Sequence, residues 1–203
     1  MGIELSKIWD QKVFVLDGAM GTNVHAYDLP LSDYRGLENC TEILCLTRPD
    51  VIGEIHGRFL EVGCDAVETN SFGSNKIVLA EYGLADQTRK LNRVAAEIAR
   101  DACRRFSTAG HPRFVIGAIG PGTKLPSLRQ TTFDILADSY AEQVRGLMDG
   151  GVDALLFETC QDLLQVKAGL CAAEAVFTEL SRRVPIMVQI TIETTGTMLV
   201  GTD

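Results

Sequence analysis

Two segments of this 203-residue chain share one grammar. Gly63-Cys64-Asp65-Ala66-Val67-Glu68-Thr69-Asn70 and Gly151-Val152-Asp153-Ala154-Leu155-Leu156-Phe157-Glu158-Thr159 each read Gly-x-Asp-Ala, a short apolar run, then Glu-Thr. A glycine closes a helical pattern before each run. A short run bounded this way is consistent with a strand buried on both faces of a parallel sheet. Where such a run stops at a carboxylate, that residue sits at the carboxyl end of a strand, the side on which barrel enzymes build their sites. The two copies are read as turns of one repeated strand–helix unit.

The rest of the chain follows the same alternation. Residues 12–16 (Lys-Val-Phe-Val-Leu) are β-branched and aromatic, the first expected strand, and they run into Asp17-Gly18-Ala19-Met20-Gly21-Thr22. Glycines there allow close backbone approach by a ligand. Residues 23–46 read as a long polar loop, a feature that in compact domains is usually functional. A helix is expected from Pro49 to Gly63, with Val51, Ile52, Ile55, Phe59, Leu60 and Val62 on its apolar positions. Strand two spans 65–69, a short helix 76–82, and a longer helix is capped by Asp86. Strand three covers 113–119, helix three 133–148 (Ile135, Leu136, Tyr140, Val144 and Leu147 inward), strand four the second copy, helix four 161–180, and strand five 184–192. Alternating strands and amphipathic helices imply a parallel sheet with right-handed crossovers. No dinucleotide fingerprint follows the first strand, which favours a (β/α)8 barrel over an open doubly wound sheet. Eight units need about 250 residues. The expectation is therefore one barrel domain over 1–203, truncated to about five units and incomplete at its carboxyl end. Unpaired strand edges would then favour self-association.

A net charge of −8 argues against nucleic acid, which needs a basic face. No apolar run approaches the ~20 residues of a membrane span. Glu4 interrupts any signal-peptide run, and Gly2 with Ser6 matches only the loose myristoylation pattern, so a cytoplasmic location is expected. Cys40, Cys45, Cys64, Cys103, Cys160 and Cys171 are scattered without a C-x-x-C pair, as buried hydrophobes usually are. His25, His56 and His111 do not pair with one another, and His56 and His111 read as structural or surface residues.

Four places could carry chemistry. The 17–22 turn could present N–H groups and one carboxylate to a zwitterion, or be a simple turn capped by Asp17. Gly117–Lys124 lacks the lysine position of a phosphate loop, and Pro121 removes an N–H. Glu158 at a strand end needs a cationic partner, from a ligand or from a neighbouring Lys or Arg. Asp162 is read as the cap of helix four. Asn70 either contacts a ligand or organises a turn.

Taken in order, Val15-Leu16-Asp17-Gly18-Ala19-Met20-Gly21-Thr22, Glu68-Thr69-Asn70-Ser71-Phe72-Gly73, Ile119-Gly120-Pro121 and Phe157-Glu158-Thr159 resemble the homocysteine S-methyltransferase family. The segments 161–168 and 194–203 most resemble its cobalamin-dependent, methionine-forming branch. The resemblance implies a (β/α)8 barrel in which Asp17, the backbone of Gly18, Ala19 and Met20, and Glu158 hold the amino-acid end of homocysteine, with Asn70 lining the same pocket. It also implies zinc, which turns the substrate thiol into a thiolate, and methylcobalamin as methyl source, recharged from methyltetrahydrofolate by separate folate and cobalamin domains. The family's zinc cysteines lie in motifs absent from these residues, so no zinc role passes to Cys160 or its fellows. The chain by itself is expected to hold neither cofactor and to be inactive. Rival readings are a betaine- or S-methylmethionine-dependent enzyme, a non-catalytic binding module, and an unrelated barrel enzyme with Glu158 as general base.

Overall fold

The structure, a computed structural model, describes residues 5–7 and 12–202. The amino-terminal residues weighed for a signal or acyl group, apart from 5 and 6, and Asp203 lie outside them. Among the described residues one sheet is present, built from β1 (Ala66–Glu68), β2 (Phe114–Ile119), β3 (Ala154–Cys160) and β4 (Ile186–Ile190). The order is β1-β2-β3-β4 and every pair is parallel, with Glu68 opposite Ile116, Ile119 opposite Phe157 and Phe157 opposite Val188. Strand order that follows chain order without reversal is the arrangement of a barrel wall. A doubly wound sheet reverses direction at its switch point.

Among the described residues seven α-helices accompany it: α1 (Met20–His25), α2 (Leu44–Thr47), α3 (Pro49–Glu61), α4 (Lys76–Glu81), α5 (Thr88–Phe106), α6 (Phe133–Gly150) and α7 (Leu163–Leu180). Side chains alternate along each strand. Val67, Val115, Ile119, Leu155 and Phe157 pack with α5, α6 and α7 residues such as Ala96, Tyr140, Leu147 and Ala173. Ala66, Phe114, Ile116, Ala154 and Leu156 form a second cluster on the other face, with Leu5, Phe14, Leu16 and Met187.

The repeat noted in the sequence has a structural meaning. Asp65 Oδ2 accepts the Val15 N–H at 2.9 Å, and Asp153 Oδ2 accepts the Val115 N–H at 2.7 Å. Each aspartate thus pins the preceding strand segment at the same level of the sheet. Lys12 and His111 face Asp65, and Arg100 faces Asp153 at 2.7 Å, so neither carboxylate is a buried lone charge. His111 is structural, as expected.

Several expectations need correction. Residues 12–16 make one bridge, Leu16 to Ala66, rather than a strand; Phe14 and Leu16 pack inward while Val13 and Val15 point to solvent (87% and 53% exposed). The 23–46 segment is not one loop. It holds the second half of α1, a 3-10 turn at Thr41–Ile43 and the start of α2, whose Val24, Leu44 and Cys45 pack on α3. Short helices with one buried residue per turn lack the periodicity that reveals longer ones. Asp86 does not cap α5. It lies in the 3-10 turn Ala85–Gln87, and Gln87 is the cap residue. Val62 and Ile135 face solvent, since each sits at a helix end beyond the packed stripe. Asp162 does cap α7, accepting the Leu164 N–H, and Gly151 closes α6 in the left-handed conformation.

Candidate functional site

At the carboxyl ends of the strands a cavity of about 240 Å³ is lined by two short segments plus Ala118 and Glu158. The first segment is Asp17 to Gly21, the second Glu68 to Phe72. Asp17, Gly18, Ala19, Met20, Asn70 and Glu158, all singled out from sequence, line this one space. The volume suits a small amino acid and falls below the ~300–1,000 Å³ of drug-sized ligand sites.

Local structure explains each position. Leu16 bridges Ala66, the first residue of β1, and the Asp17 N–H donates to Ala66 O at 3.1 Å, so the turn begins alongside this three-residue strand. Asp17 Oδ1 then accepts the Glu68 N–H at 2.8 Å, which fixes the carboxylate over the end of β1. Ala19, not a glycine, takes the left-handed conformation (φ 48°) and caps α1. The N–H groups of a helix's first turn have no partner within the helix, and Met20 and Gly21 of that turn line the cavity.

Glu158 is aimed by strand alternation. Its neighbour Phe157 packs edge-on against Tyr140 on the helix side, so Glu158 faces the opposite way. A register irregularity between Phe157 and Cys160, with Thr159 at φ 55°, ends the regular pairing beside it. Bulges of this kind are frequent next to active sites. In β1, Val67 packs on the helices and Glu68 turns to the cavity in the same way.

The Glu68–Phe72 wall is held by side chains. Thr69 Oγ1 accepts the Ala118 N–H at 3.0 Å, Ser71 Oγ donates to Ala118 O at 2.7 Å, and Gln143 Nε2 donates to Ser71 O at 2.7 Å. Asn70 resolves its two readings in part: its amide donates to Thr41 O at 2.9 Å, so it organises the neighbouring chain while it lines the cavity. The 117–124 turn is occupied structurally. Tyr140 donates from Oη to the Gly120 and Pro121 carbonyls at 3.2 Å, and Phe72 lies against Gly120.

Electrostatics separate this cavity from an ordinary surface cleft. Three carboxylates line it, Asp17, Glu68 and Glu158, and no lysine or arginine is among the lining residues. Burial pushes the Glu158 carboxyl up from its usual range, and Asp17 adds to the effect. Burial pushes Glu68 further, to about 8, with Glu158 and then Asp17 contributing. Sequence reasoning missed Glu68 as a site residue although the Glu-Thr repeat matched it to Glu158. It also missed His56, which is fully buried with its Nδ1 3.9 Å from Asp17 Oδ2.

Zinc fails a test of fit here. Among the described residues no group of three His, Cys, Asp or Glu side chains could hold a metal ion. Burial raises the Cys160 thiol to about 11, with Glu158 adding to it, and burial likewise raises Cys45 to about 12. Such thiols stay protonated and are poor ligands. A corrinoid is far larger than the cavity.

The model of the family described as homocysteine S-methyltransferase matches residues 14–203. The chain is 49% identical over 193 residues to methionine synthase of Mycobacterium leprae (strain TN), covering 95% of this chain and 16% of that protein. It is 47% identical over 200 residues to methionine synthase of Mycobacterium tuberculosis (strain ATCC 25618 / H37Rv), covering 98% of this chain and 17% of that protein. The chain thus spans about a sixth of the length of these relatives. Its fold is similar to that of the homocysteine methyltransferase MmuM from Escherichia coli. The metallated form gives TM-score 0.78 at 23% identity, covering 98% of this chain and 70% of that one. The oxidized form gives 0.77 at 22%, covering 98% and 69%. With the ordered motifs, the parallel strand order and the family match over nearly its whole length in agreement, the chain belongs to the homocysteine S-methyltransferase family.

Proposed function

We propose that this chain is the homocysteine-holding barrel portion of a methionine-forming methyltransferase in the cytoplasm, one domain over 1–203 that is incomplete and inactive by itself. The observation that carries this reading is the meeting of the Asp17 turn and Glu158, 141 residues apart, in one small acidic cavity. The α-ammonium group of homocysteine lies between the Asp17 and Glu158 carboxylates, replacing their lost hydration with a cation. Its carboxylate lies against the N–H groups of Gly18, Ala19 and Met20, at the positive end of a helix. Asn70 supports the wall. The sulfur then points out of the cradle.

In the complete enzyme, zinc would make the thiol a thiolate and methylcobalamin, recharged from methyltetrahydrofolate, would supply the methyl group. Neither group fits the residues described, so the part these residues play is to bind and orient. Folate and cobalamin domains of the longer protein are the partners this reading requires.

Isothermal titration of L-homocysteine into the chain and its Glu158→Gln variant tests the cradle. A charge-assisted hydrogen bond contributes ~1.5–3 kcal/mol, so the variant should bind roughly tenfold to a hundredfold more weakly. Equal affinity would remove Glu158 from the site.

A further inference from the structure

We propose that Glu68 is a third binding carboxylate of this pocket, neutral while the cavity is empty and anionic once an α-ammonium group enters, so that binding an amino acid releases one proton. The inference rests on the amino-acid reading of the cavity and adds a proton to its stoichiometry.

The geometry leads there in three steps. Asp17 and Glu158 already face the cavity as anion candidates, and Glu68 joins them from the end of β1. No cationic side chain is among the lining residues. Three carboxylates in a partly buried space cannot all ionise cheaply, because like charges disfavour one another's ionisation. Secondly, the group that stays neutral is singled out by its position. Asp17 Oδ1 accepts the Glu68 N–H at 2.8 Å, whereas no donor meets the Glu68 or the Glu158 carboxyl among the hydrogen bonds of the described residues, and of these two it is Glu68 that has both other carboxylates acting on it. The direction found for Glu68, up to about 8, agrees.

Thirdly, the imidazole nearest Asp17, which does not line the cavity, gives that carboxylate no hydrogen bond. His56, fully buried on α3, has neither ring nitrogen hydrogen-bonded, and its Nδ1 stands 3.9 Å from Asp17 Oδ2, beyond hydrogen-bond range. The groups that face Glu68 are Asp17 from the turn and Glu158 from β3. His56 from α3 and the Cys64 thiol lie behind Asp17, the Cys160 thiol lies beside Glu158, and the neighbour on β2, Ile116, is apolar.

When the ammonium group arrives, its charge stabilises the Glu68 carboxylate. The O–H bond of the carboxyl group breaks, the proton passes to solvent, and no bond to the ligand forms. The empty protein then holds more protons than the complex, so affinity rises with pH until Glu68 is ionised in the empty state.

The probe is L-methionine, whose sulfur carries no titrating proton. Calorimetry at pH 7 in two buffers of different ionisation enthalpy should show close to one proton released per ligand bound. Affinity should rise roughly fivefold to tenfold between pH 6.5 and pH 7.5. In Glu68→Gln the release should fall to near zero and that rise should vanish. Binding without proton release in the unaltered chain, or full release in Glu68→Gln, overturns the proposal and leaves the amino-acid reading standing. No binding at any pH overturns both. If Glu68→Gln does not fold, carbon-13 NMR of glutamate carboxyls in the unaltered, ligand-free chain decides. The Glu68 carboxyl, assigned by through-bond correlation because burial also raises Glu42 and Glu158, supports the proposal if it titrates above pH 7 and overturns it if it titrates below.

Discussion

Replacing Asp162 with alanine is expected to lower stability by about 3 kcal/mol. Asp162 is fully buried. Its Oδ1 accepts both the Ser127 hydroxyl and the Leu164 N–H at 2.8 Å, and its Oδ2 accepts the Ser127 N–H at 2.8 Å. The cap alone is worth ~0.5–2 kcal/mol. Each hydrogen bond from Ser127 to a charged acceptor adds ~1.5–3 kcal/mol in isolation. Relief of the buried charge offsets part of that total, because taking a carboxylate out of water is itself costly. The loss also uncouples the loop after β2 from the start of α7. For a chain of this size each kcal/mol moves Tm by roughly 2–4 °C, so scanning calorimetry should find a drop of roughly 6–12 °C. A drop under about 2 °C would show that the carboxylate's desolvation cancels its hydrogen bonds.

Gly146→Ala should be nearly as damaging, although alanine is the better helix former. In the interior of α6 the exchange would gain about 1 kcal/mol from propensity. A methyl group there, however, would stand 2.4 Å from the Arg89 carbonyl oxygen and 2.7 Å from Asn92 Cβ on α5. The first obstacle is backbone, so no side-chain rotation relieves it and the helices must separate. A methyl group on Gly150, one turn on, would be equally crowded, 2.5 Å from both the Arg93 carbonyl oxygen and Ala96 Cβ. Overpacking of this kind costs ~1–3 kcal/mol and sometimes more, and here it falls on the seam that supports β2 and β3. The net expectation is a loss of about 2 kcal/mol by chemical denaturation, with an unchanged m-value. A stabilised variant would mean that α5 and α6 slide apart freely.

The sequence read most clearly where the physics is local. Pro49, Gly63, Gly151 and Asp162 mark helix ends through backbone geometry and hydrogen bonding that depend on a few neighbouring residues. Apolar periodicity gave α3, α5, α6 and α7, and continuous apolar runs gave β2 and β3, whose both faces are covered. The ordered turn motifs brought Asp17, Asn70 and Glu158 together on paper, and the fold sets them around one cavity. The helices around residues 20–47 escaped because they are too short to show a period. The first expected strand shrank to one bridge, with two of its apolar residues pointing to solvent.

What the sequence alone determined was the alternating parallel architecture, the family, and the side of the sheet on which the polar residues gather. Tertiary structure decided which of those residues share a charge problem. Glu68 looks like Glu158 in sequence, yet burial and two neighbouring carboxylates, one 51 and one 90 residues away, displace its proton equilibrium. His56 faces Asp17 only because α3 packs beside the end of β1. Coulombic and desolvation effects act through space, and no reading along the chain contains those distances.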